Sequence, residues 1–275
     1  MTSAAMRVVV LGCGGSAGVP LIGGPDGRGD WGACDPHEPR NRRLRTSITL
    51  SAGGQTLLVD TGPDLRTQLL ANGITRVDAI LYTHAHADHV TGLDEVRILN
   101  RIARRALPAY GMAVTLDELR RRFDYAFKPH DENLFFYRPV LAAEVVVPGA
   151  SVEMAGIVAR VFLQDHGFVS SLGFRAGNFA YSTDVVTLDQ TALSILEGVD
   201  TWLVGCFQRA PHKTHAHLER VLEWVTRLRV RRAVLTHMGT DMDWGWLTRH
   251  LPSHVEPAYD GLVLDIPVDA RPCKK

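Results

Sequence analysis

The stretch Thr83-His84-Ala85-His86-Ala87-Asp88-His89 sets three imidazoles and one carboxylate within six residues, directly after the apolar run of residues 77–82. The run predicts a buried strand, and the cluster predicts a loop at its end. On a strand, His84, His86 and Asp88 would share one face. On a loop, His84 and His86 can turn to one cation and Asp88 with His89 to a neighbouring one. Imidazole and carboxylate without thiolate suit zinc, manganese or iron, and a mixed nitrogen and oxygen set with open positions is the catalytic kind. A merely solvated polar loop leaves that density of ligating groups unexplained.

Outward from the cluster, apolar runs with polar ends recur. Residues 47–50 and 55–60 read as strands joined by a hairpin turn at Gly53-Gly54. Residues 65–72 read as a helix, with Pro63 suited to its entry and Gly73 to its C-terminal cap. Residues 92–105 and 115–122 also read as helical, the second with Thr115 as N-cap and Glu118 completing a capping box. Residues 124–139 mix aromatics, proline and charge without a period, which predicts a lid or an irregular connection. Further strands are expected at 145–147, 157–163, 172–175, 178–182, 201–205, 232–235 and 261–266, with helices at 188–197 and 216–229. The two halves repeat one β-α pattern, as in a mixed α/β protein whose loops at one sheet edge share a site.

Composition narrows the classes. The 275 residues are 45% hydrophobic and 22% charged, which excludes a disordered or fibrous chain. No interdomain linker is visible, so residues 1–275 are expected to form a single domain. Lys plus Arg and Asp plus Glu both number 30, so net charge gives no reason for non-specific binding to nucleic acid or an anionic membrane. Cys13, Cys34, Cys206 and Cys273 include no CxxC pair, so neither a disulfide framework nor a cysteine-only zinc finger is readable. No signal peptide or membrane-spanning run is visible, and the expected location is cytoplasmic. Strand 7–11 leads into glycines 12, 14 and 15. Gly12, Gly14 and Ala17 match a dinucleotide fingerprint, but Val19-Pro20 and Gly23-Gly24-Pro25 cannot continue the helix which that motif must open.

HAHADH resembles the HxHxDH signature of the metallo-β-lactamase superfamily. The resemblance implies a four-layer αβ/βα fold, two mixed β-sheets sandwiched between helices, with two divalent metal ions, zinc or manganese. It implies His84, His86 and His166 on the first metal, Asp88, His89 and His237 on the second, and Asp184 bridging both. Asp60 in LLVDTG matches the aspartate that supports the metal loop. Each of the last three, His166, Asp184 and His237, follows an apolar run, as a ligand on a loop should.

Two such cations, about 3.5 to 4 Å apart, present a bridging hydroxide to an electrophile. Asp88 would also hold that nucleophile. No cysteine lies near Asp184, which disfavours antibiotic hydrolysis. The glycine turn, the stretch ACDPHEPRNRRLRTS and the late KTHAHLE are similar to the phosphoribosyl cyclic phosphate phosphodiesterase subgroup, relatives of ribonuclease Z. This implies hydrolysis of a small phosphodiester, cyclic or nucleotide-like, with His215 assisting the leaving group as an imidazole titrating near neutrality. His212 and His217 are its rivals. Among Arg40, Arg42, Arg43 and Arg45, Arg43 and Arg45 are the candidates for a phosphate clamp, against a plain basic loop edge. Tyr125, Phe127 and Tyr137 read more simply as packing than as a base-stacking pocket.

The subgroup's extra structural zinc is not expected, because only Cys34 remains of its cysteine cluster and Thr240 stands three residues after His237. No long transfer-RNA-gripping arm is visible, so a large nucleic acid is disfavoured as substrate. The subgroup forms dimers, which makes a homodimer the expectation carried by resemblance. Two other readings remain open: a carboxylic-ester, thioester or lactone hydrolase of the same fold, and a non-catalytic binding protein similar to the pyrroloquinoline quinone pathway member.

Overall fold

In the computed structural model, which describes residues 5–131 and 135–267, apolar strands are covered on both faces. Strand β1 (Ala5–Gly12) sends Val8 and Val10 into one buried cluster and Val9 and Leu11 into another. A strand buried on both faces must be apolar at successive positions, which explains the unbroken run that opens the described chain. The chain continues through β2 (Ser47–Ala52), β3 (Gln55–Val59), α1 (Leu65–Ala71), β4 (Ala79–Leu81), α2 (Ala87–Val90), α3 (Val96–Ala103), β5 (Leu107–Gly111), α4 (Ala113–Arg122) and β6 (Leu141–Val145). Its second half holds β7 (Ser151–Met154), β8 (Ile157–Asp165), β9 (Ser170–Ala176), β10 (Phe179–Ser182), α5 (Gln190–Leu196) and β11 (Thr201–Gly205). Then follow α6 (Leu218–Leu228), β12 (Arg232–Thr236), α7 (Trp244–His250), β13 (Val255–Pro257) and β14 (Val263–Pro267).

The strands form two seven-stranded sheets, ordered β14-β1-β2-β3-β4-β5-β6 and β13-β12-β11-β10-β9-β8-β7. Each is mixed in the same way. The pairs β14/β1, β1/β2 and β2/β3 are antiparallel and β3/β4, β4/β5 and β5/β6 parallel. The second sheet repeats this with β7/β8, β8/β9 and β9/β10 antiparallel and β10/β11, β11/β12 and β12/β13 parallel. One cluster joins Val8, Leu57, Leu81, Phe174, Trp202 and Leu235 across the two sheets; the other packs Ile80, Tyr82, Leu99 and Leu116 beneath α1, α3 and α4. Each such fully buried aliphatic or aromatic side chain contributes about 1.5–3 kcal/mol. This is the αβ/βα four-layer fold.

The β2–β3 hairpin turns on Gly53 (φ 57°) and Gly54 (φ 79°), the left-handed pair that a two-residue turn matched to strand twist requires. Elsewhere the structure departs from the sequence expectations. Thr115 is not an N-cap: α4 begins at Ala113, Thr115 is buried on its inner face, and Glu118 turns to Arg121 and Arg122 instead. The strand expected at 145–147 lies at Leu141–Val145, Asp88 and His89 stand on the short helix α2 rather than on a loop, and β5, β7, β13 and α7 have no counterpart in the sequence expectations. Residues 124–131 and 135–139 form an irregular connection rather than a separate lid. Arg138 fastens it by donating to the carbonyls of Tyr125, Lys128, Pro129 and Pro139, while Tyr125 and Phe127 pack on the core. Residues 132–134 and Cys273 lie outside the described residues. Among the described residues no helix is long and apolar enough to cross a membrane.

Candidate metal centre

Because β1, β3, β4, β8, β10, β11 and β12 run in compatible directions, the segments after them meet at one edge of the sandwich. Asp60 follows β3, His84 to His89 follow β4, His166 follows β8, Asp184 follows β10 and His237 follows β12. His215 lies in the connection between β11 and α6. Three of these residues turn the chain back over the strand ends in left-handed conformation: Asp60 (φ 64°), Asp184 (φ 49°) and His237 (φ 54°). A non-glycine residue held there costs about 1–3 kcal/mol, a strain that collects at functional sites.

Asp184 is the centre of the cluster. Its Oδ1 lies 3.3 Å from His237 Nε2, 3.4 Å from His166 Nε2, 4.0 Å from His84 Nε2 and 3.7 Å from His215 Nδ1. Its Oδ2 lies 3.1 Å from His89 Nε2 and accepts a hydrogen bond from Thr183 Oγ1 at 2.6 Å. Asp88 Oδ2 lies 3.2 Å from His89 Nε2 and 3.7 Å from His237 Nε2. His86 Nδ1 lies 3.2 Å from His166 Nε2. The ligand atoms fall into sets that could each hold a cation: His84 with His86 and His166, Asp88 with His89 and His237, and two sets containing Asp184, one with His84 and His89 and one with His166 and His215.

Hydrogen bonds behind the rings fix which nitrogen faces inward. His89 Nδ1 meets Asp60 Oδ2 at 2.7 Å, His166 Nδ1 meets the Thr214 carbonyl at 2.7 Å, and His84 Nδ1 meets Thr83 Oγ1 at 3.0 Å. Asp60 is itself held by the Thr83 N–H and hydroxyl, both at 2.8 Å. This is the arrangement that orients imidazoles for a metal. The inward Nε2 atoms of His84, His89 and His237 are buried yet make no hydrogen bond. Buried polar atoms in folded proteins are as a rule hydrogen-bonded. Although single side-chain atoms elsewhere, such as Thr49 Oγ1 and Gln164 Oε1, also lack a partner, three orphaned imidazole nitrogens facing the same carboxylates fit a bound cation.

Charge argues the same way. Burial disfavours a proton on His89, but Asp184, Asp88 and Asp60 outweigh it and raise its proton affinity well above the ordinary value. Burial likewise opposes ionisation of Asp184, yet His237 and His89 hold it well below the usual carboxylate range. Both shifts mark a pocket whose carboxylates seek positive charge.

The structure brings His84, His86, Asp88, His89, His166, Asp184, His215 and His237 together, and Asp60 behind them. Burial first, then the charge of His237, pushes His215 down to about 3, so the expectation of an imidazole titrating near neutrality is corrected: its neutral form prevails. His212 is an exposed neighbour, with ring centroids 5.1 Å from His215, and His217 caps α6. The arginine run divides. Arg43 is buried and donates to the carbonyls of Gly239 and Met242 and to Asn41 Oδ1, so it is a structural tie and not a phosphate clamp. Arg40 pairs with Glu38, Arg42 lies over Trp31, and Arg45 sits 3.1 Å from Asp64. Gly12 and Gly14 are small because the backbone of residues 43–45 crosses them: a Cβ on Gly12 would lie 2.2 Å from the Arg45 carbonyl. Around Cys34, hydrogen bonds hold the loop, from Ala33 N–H to the Thr240 carbonyl and from Asp35 N–H and Asn41 to Asp243.

Sequence reasoning passed over the threonines. Thr83, Thr183, Thr214 and Thr236 each precede a site residue, and the first three supply a hydroxyl or carbonyl to the site. The repeated Thr-His and Thr-Asp pairs after apolar runs were the available signal.

Two mixed sheets between helices, with imidazoles and carboxylates converging at the strand ends, make this edge of the sandwich a candidate metal centre. The chain belongs to the beta-lactamase superfamily: the family described as "Beta-lactamase superfamily domain" matches residues 55–238. It is similar to the crystal structure of a diphosphatase from the PhnP family, with 32% identity, a TM-score of 0.85 and coverage of 95% of this chain and 97% of that one. It is 30% identical to an octanoyltransferase of Porphyromonas gingivalis over 94% of this chain and 51% of that protein. It is 38% identical to a ribonuclease Z of a Bradyrhizobium species over 50% of this chain and 45% of that protein. The chain thus spans about half the length of these two relatives.

Proposed function

We propose that this chain hydrolyses a small phosphodiester, cyclic or nucleotide-like, with the P–O–P link of a substituted diphosphate as a related target. In this reading His84, His86 and His166 would hold one divalent cation and Asp88, His89 and His237 a second, with Asp184 placed to serve either. The observation that carries it is the position of Asp184, whose carboxylate lies within 4.0 Å of His84 and His166 from the first set and of His89 and His237 from the second. When bound, two cations in such a site supply Lewis-acid charge and a nucleophile at neutral pH. Asp88, at the mouth of the cluster, orients the attacking water. His215 turns Nδ1 towards Asp184 and leaves Nε2 for the leaving oxygen. As a neutral imidazole it donates an N–H hydrogen bond to the charge developing there.

Support for phosphorus as the electrophile comes from the PhnP-family diphosphatase, which matches along nearly the whole of both chains, and from the ribonuclease Z likeness. The balanced charge favours a small substrate over a large nucleic acid. The octanoyltransferase likeness favours a second reading, an acyl-ester or thioester hydrolase. One panel separates them: protein reconstituted with zinc or manganese, assayed on cyclic and linear phosphodiesters, a dinucleoside diphosphate and acyl esters. Turnover of the phosphorus substrates is expected; turnover of acyl esters alone would sink the proposal.

A further inference from the structure

We propose that Phe207 is a positioning residue for His215, fixing by shape the direction in which its imidazole meets the leaving oxygen. The effect on turnover rests on the hydrolytic reading above; the geometry does not. His89, His166 and His84 are each held by a hydrogen bond to Nδ1. Among the described residues His215 makes no hydrogen bond: Asp184 Oδ1 lies 3.7 Å away, too far for one. Packing therefore sets its ring, with His166 edge-on at 4.7 Å between centroids, the exposed His212 at 5.1 Å, and Phe207 and His237 stacked against it. The rings of Phe207, His215 and His237 form a triangle with centroid separations of 4.7, 4.9 and 6.1 Å, and Phe207 fills the corner between the two imidazoles.

Phe207 is itself seated with little freedom. A Cβ on Gly15 would lie 2.8 Å from its Cε2, and one on Gly239 would lie 3.5 Å from the same atom, so the ring rests against bare backbone on these sides. Its N–H donates to the Ala216 carbonyl at 3.0 Å and its carbonyl accepts from Gly239 N–H at 2.8 Å. These bonds tie residue 207 to the neighbour of His215 and to the turn after His237. Phe207 is half-buried and belongs to neither apolar cluster, so filling the core does not account for it. Its side chain can neither ligate a metal nor exchange a proton. What it offers His215 is a rigid apolar surface, and holding a reacting group in place to within an ångström is worth orders of magnitude in rate.

A group that stabilises a leaving oxygen matters for an alkoxide and little for a nitrophenolate, which leaves unaided. Zinc-loaded wild type, Phe207→Leu, His215→Ala and the double variant are compared on 2′,3′-cyclic AMP and bis(4-nitrophenyl) phosphate. Phe207→Leu is expected to lower kcat about tenfold on the cyclic nucleotide and by less than about threefold on the nitrophenyl diester, with zinc content unchanged. In the His215→Ala background it should cost less than about twofold more. Gly15→Ala, which crowds the same ring without altering it, should give the same split. Equal losses on both substrates, additive losses, or loss of zinc overturn the proposal.

A readout free of turnover is the histidine ring C–H spectrum of the zinc-loaded protein. The signal that disappears in His215→Ala should shift in Phe207→Leu while those of His84 and His89 stay in place; an unmoved His215 signal overturns the proposal. If wild type hydrolyses neither diester, the phosphodiesterase reading fails, and the spectrum alone decides the role of Phe207.

Discussion

Asp60 Oδ2 meets His89 Nδ1 at 2.7 Å, with both side chains fully buried. The carboxylate holds one proton on Nδ1, so Nε2 is the nitrogen that faces Asp88 and Asp184, where a cation can take the place of a second proton. Partners of this kind typically set metal affinity by 10–100-fold. Asp60→Asn replaces one acceptor oxygen with an N–H₂ group, which cannot accept from both His89 and Thr83. Affinity for the second cation should fall by about that factor while the first is less affected, as read by competition with a chelating dye. Equal affinity at both sites would show that Asp60 serves only the β3–β4 backbone.

Asp184 differs because its carboxylate touches both groups of imidazoles. Asp184→Asn keeps the size and tolerates the left-handed backbone that the residue adopts, but removes the charge. Elemental analysis of the purified variant should show loss of both cations, with hydrolysis abolished. Retention of two cations per chain would mean that Asp184 bridges nothing.

The part of the site that was legible from residues alone is the part written in consecutive letters. His84 to His89 could be read as paired ligand sets because the apolar run before them announces a strand. His166, Asp184 and His237 each stand alone, and only resemblance joined them; the physical reason for their meeting is that β8, β10 and β12 end at one sheet edge. Short strands escaped notice because Val255–Pro257 is too brief to show a period, and Leu107–Gly111 contains Pro108. Thr115 carried a capping pattern, but the chain entered α4 earlier, after Met112. Arg43 resembled its neighbours in the basic run, and only the return of residues 239–242 over it makes it structural.

His215 is close to the centre but belongs to neither of the proposed ligand sets. His215→Ala should therefore keep both cations and lower turnover of an alkyl phosphodiester by roughly 10²–10³-fold, the effect of removing one donor from a developing oxyanion. Parallel metal analysis and steady-state kinetics check it. Loss of a cation would reassign His215 to the ligand set that it can form with His166 and Asp184.

Arg43 tests the division of the basic run. Its guanidinium is 1% exposed and donates to two carbonyls and Asn41, so Arg43→Ala strands buried acceptors and leaves a cavity. Urea unfolding should show a loss of about 2–4 kcal/mol. The KM of the folded fraction should be unchanged. A raised KM at unchanged stability would restore Arg43 as a substrate clamp.

Asp260 gives a pH dependence that is separable from the metal centre. Its Oδ1 accepts from Cys13 N–H at 3.0 Å and its Oδ2 from Leu44 N–H at 2.7 Å, pinning the glycine turn to the arginine segment. Burial nevertheless dominates and pushes the carboxyl up to about 6 from its ordinary 3.8, against the lowering effect of those donors. A carboxyl raised on folding binds its proton in the native state before the unfolded chain does. Its contribution to stability therefore grows as pH falls from about 7 towards 4 and is lost as pH rises through about 6. Between pH 7 and pH 5 the shift is worth about 1–1.5 kcal/mol. Asp260→Asn lacks this term and keeps the other titrating groups, so the unfolding free energy of wild type minus variant should widen by that amount over the same interval. Denaturant titrations of the metal-free proteins at the two pH values measure it, and a gap that stays constant or narrows would show that Asp260 is ionised throughout, held by its two backbone donors.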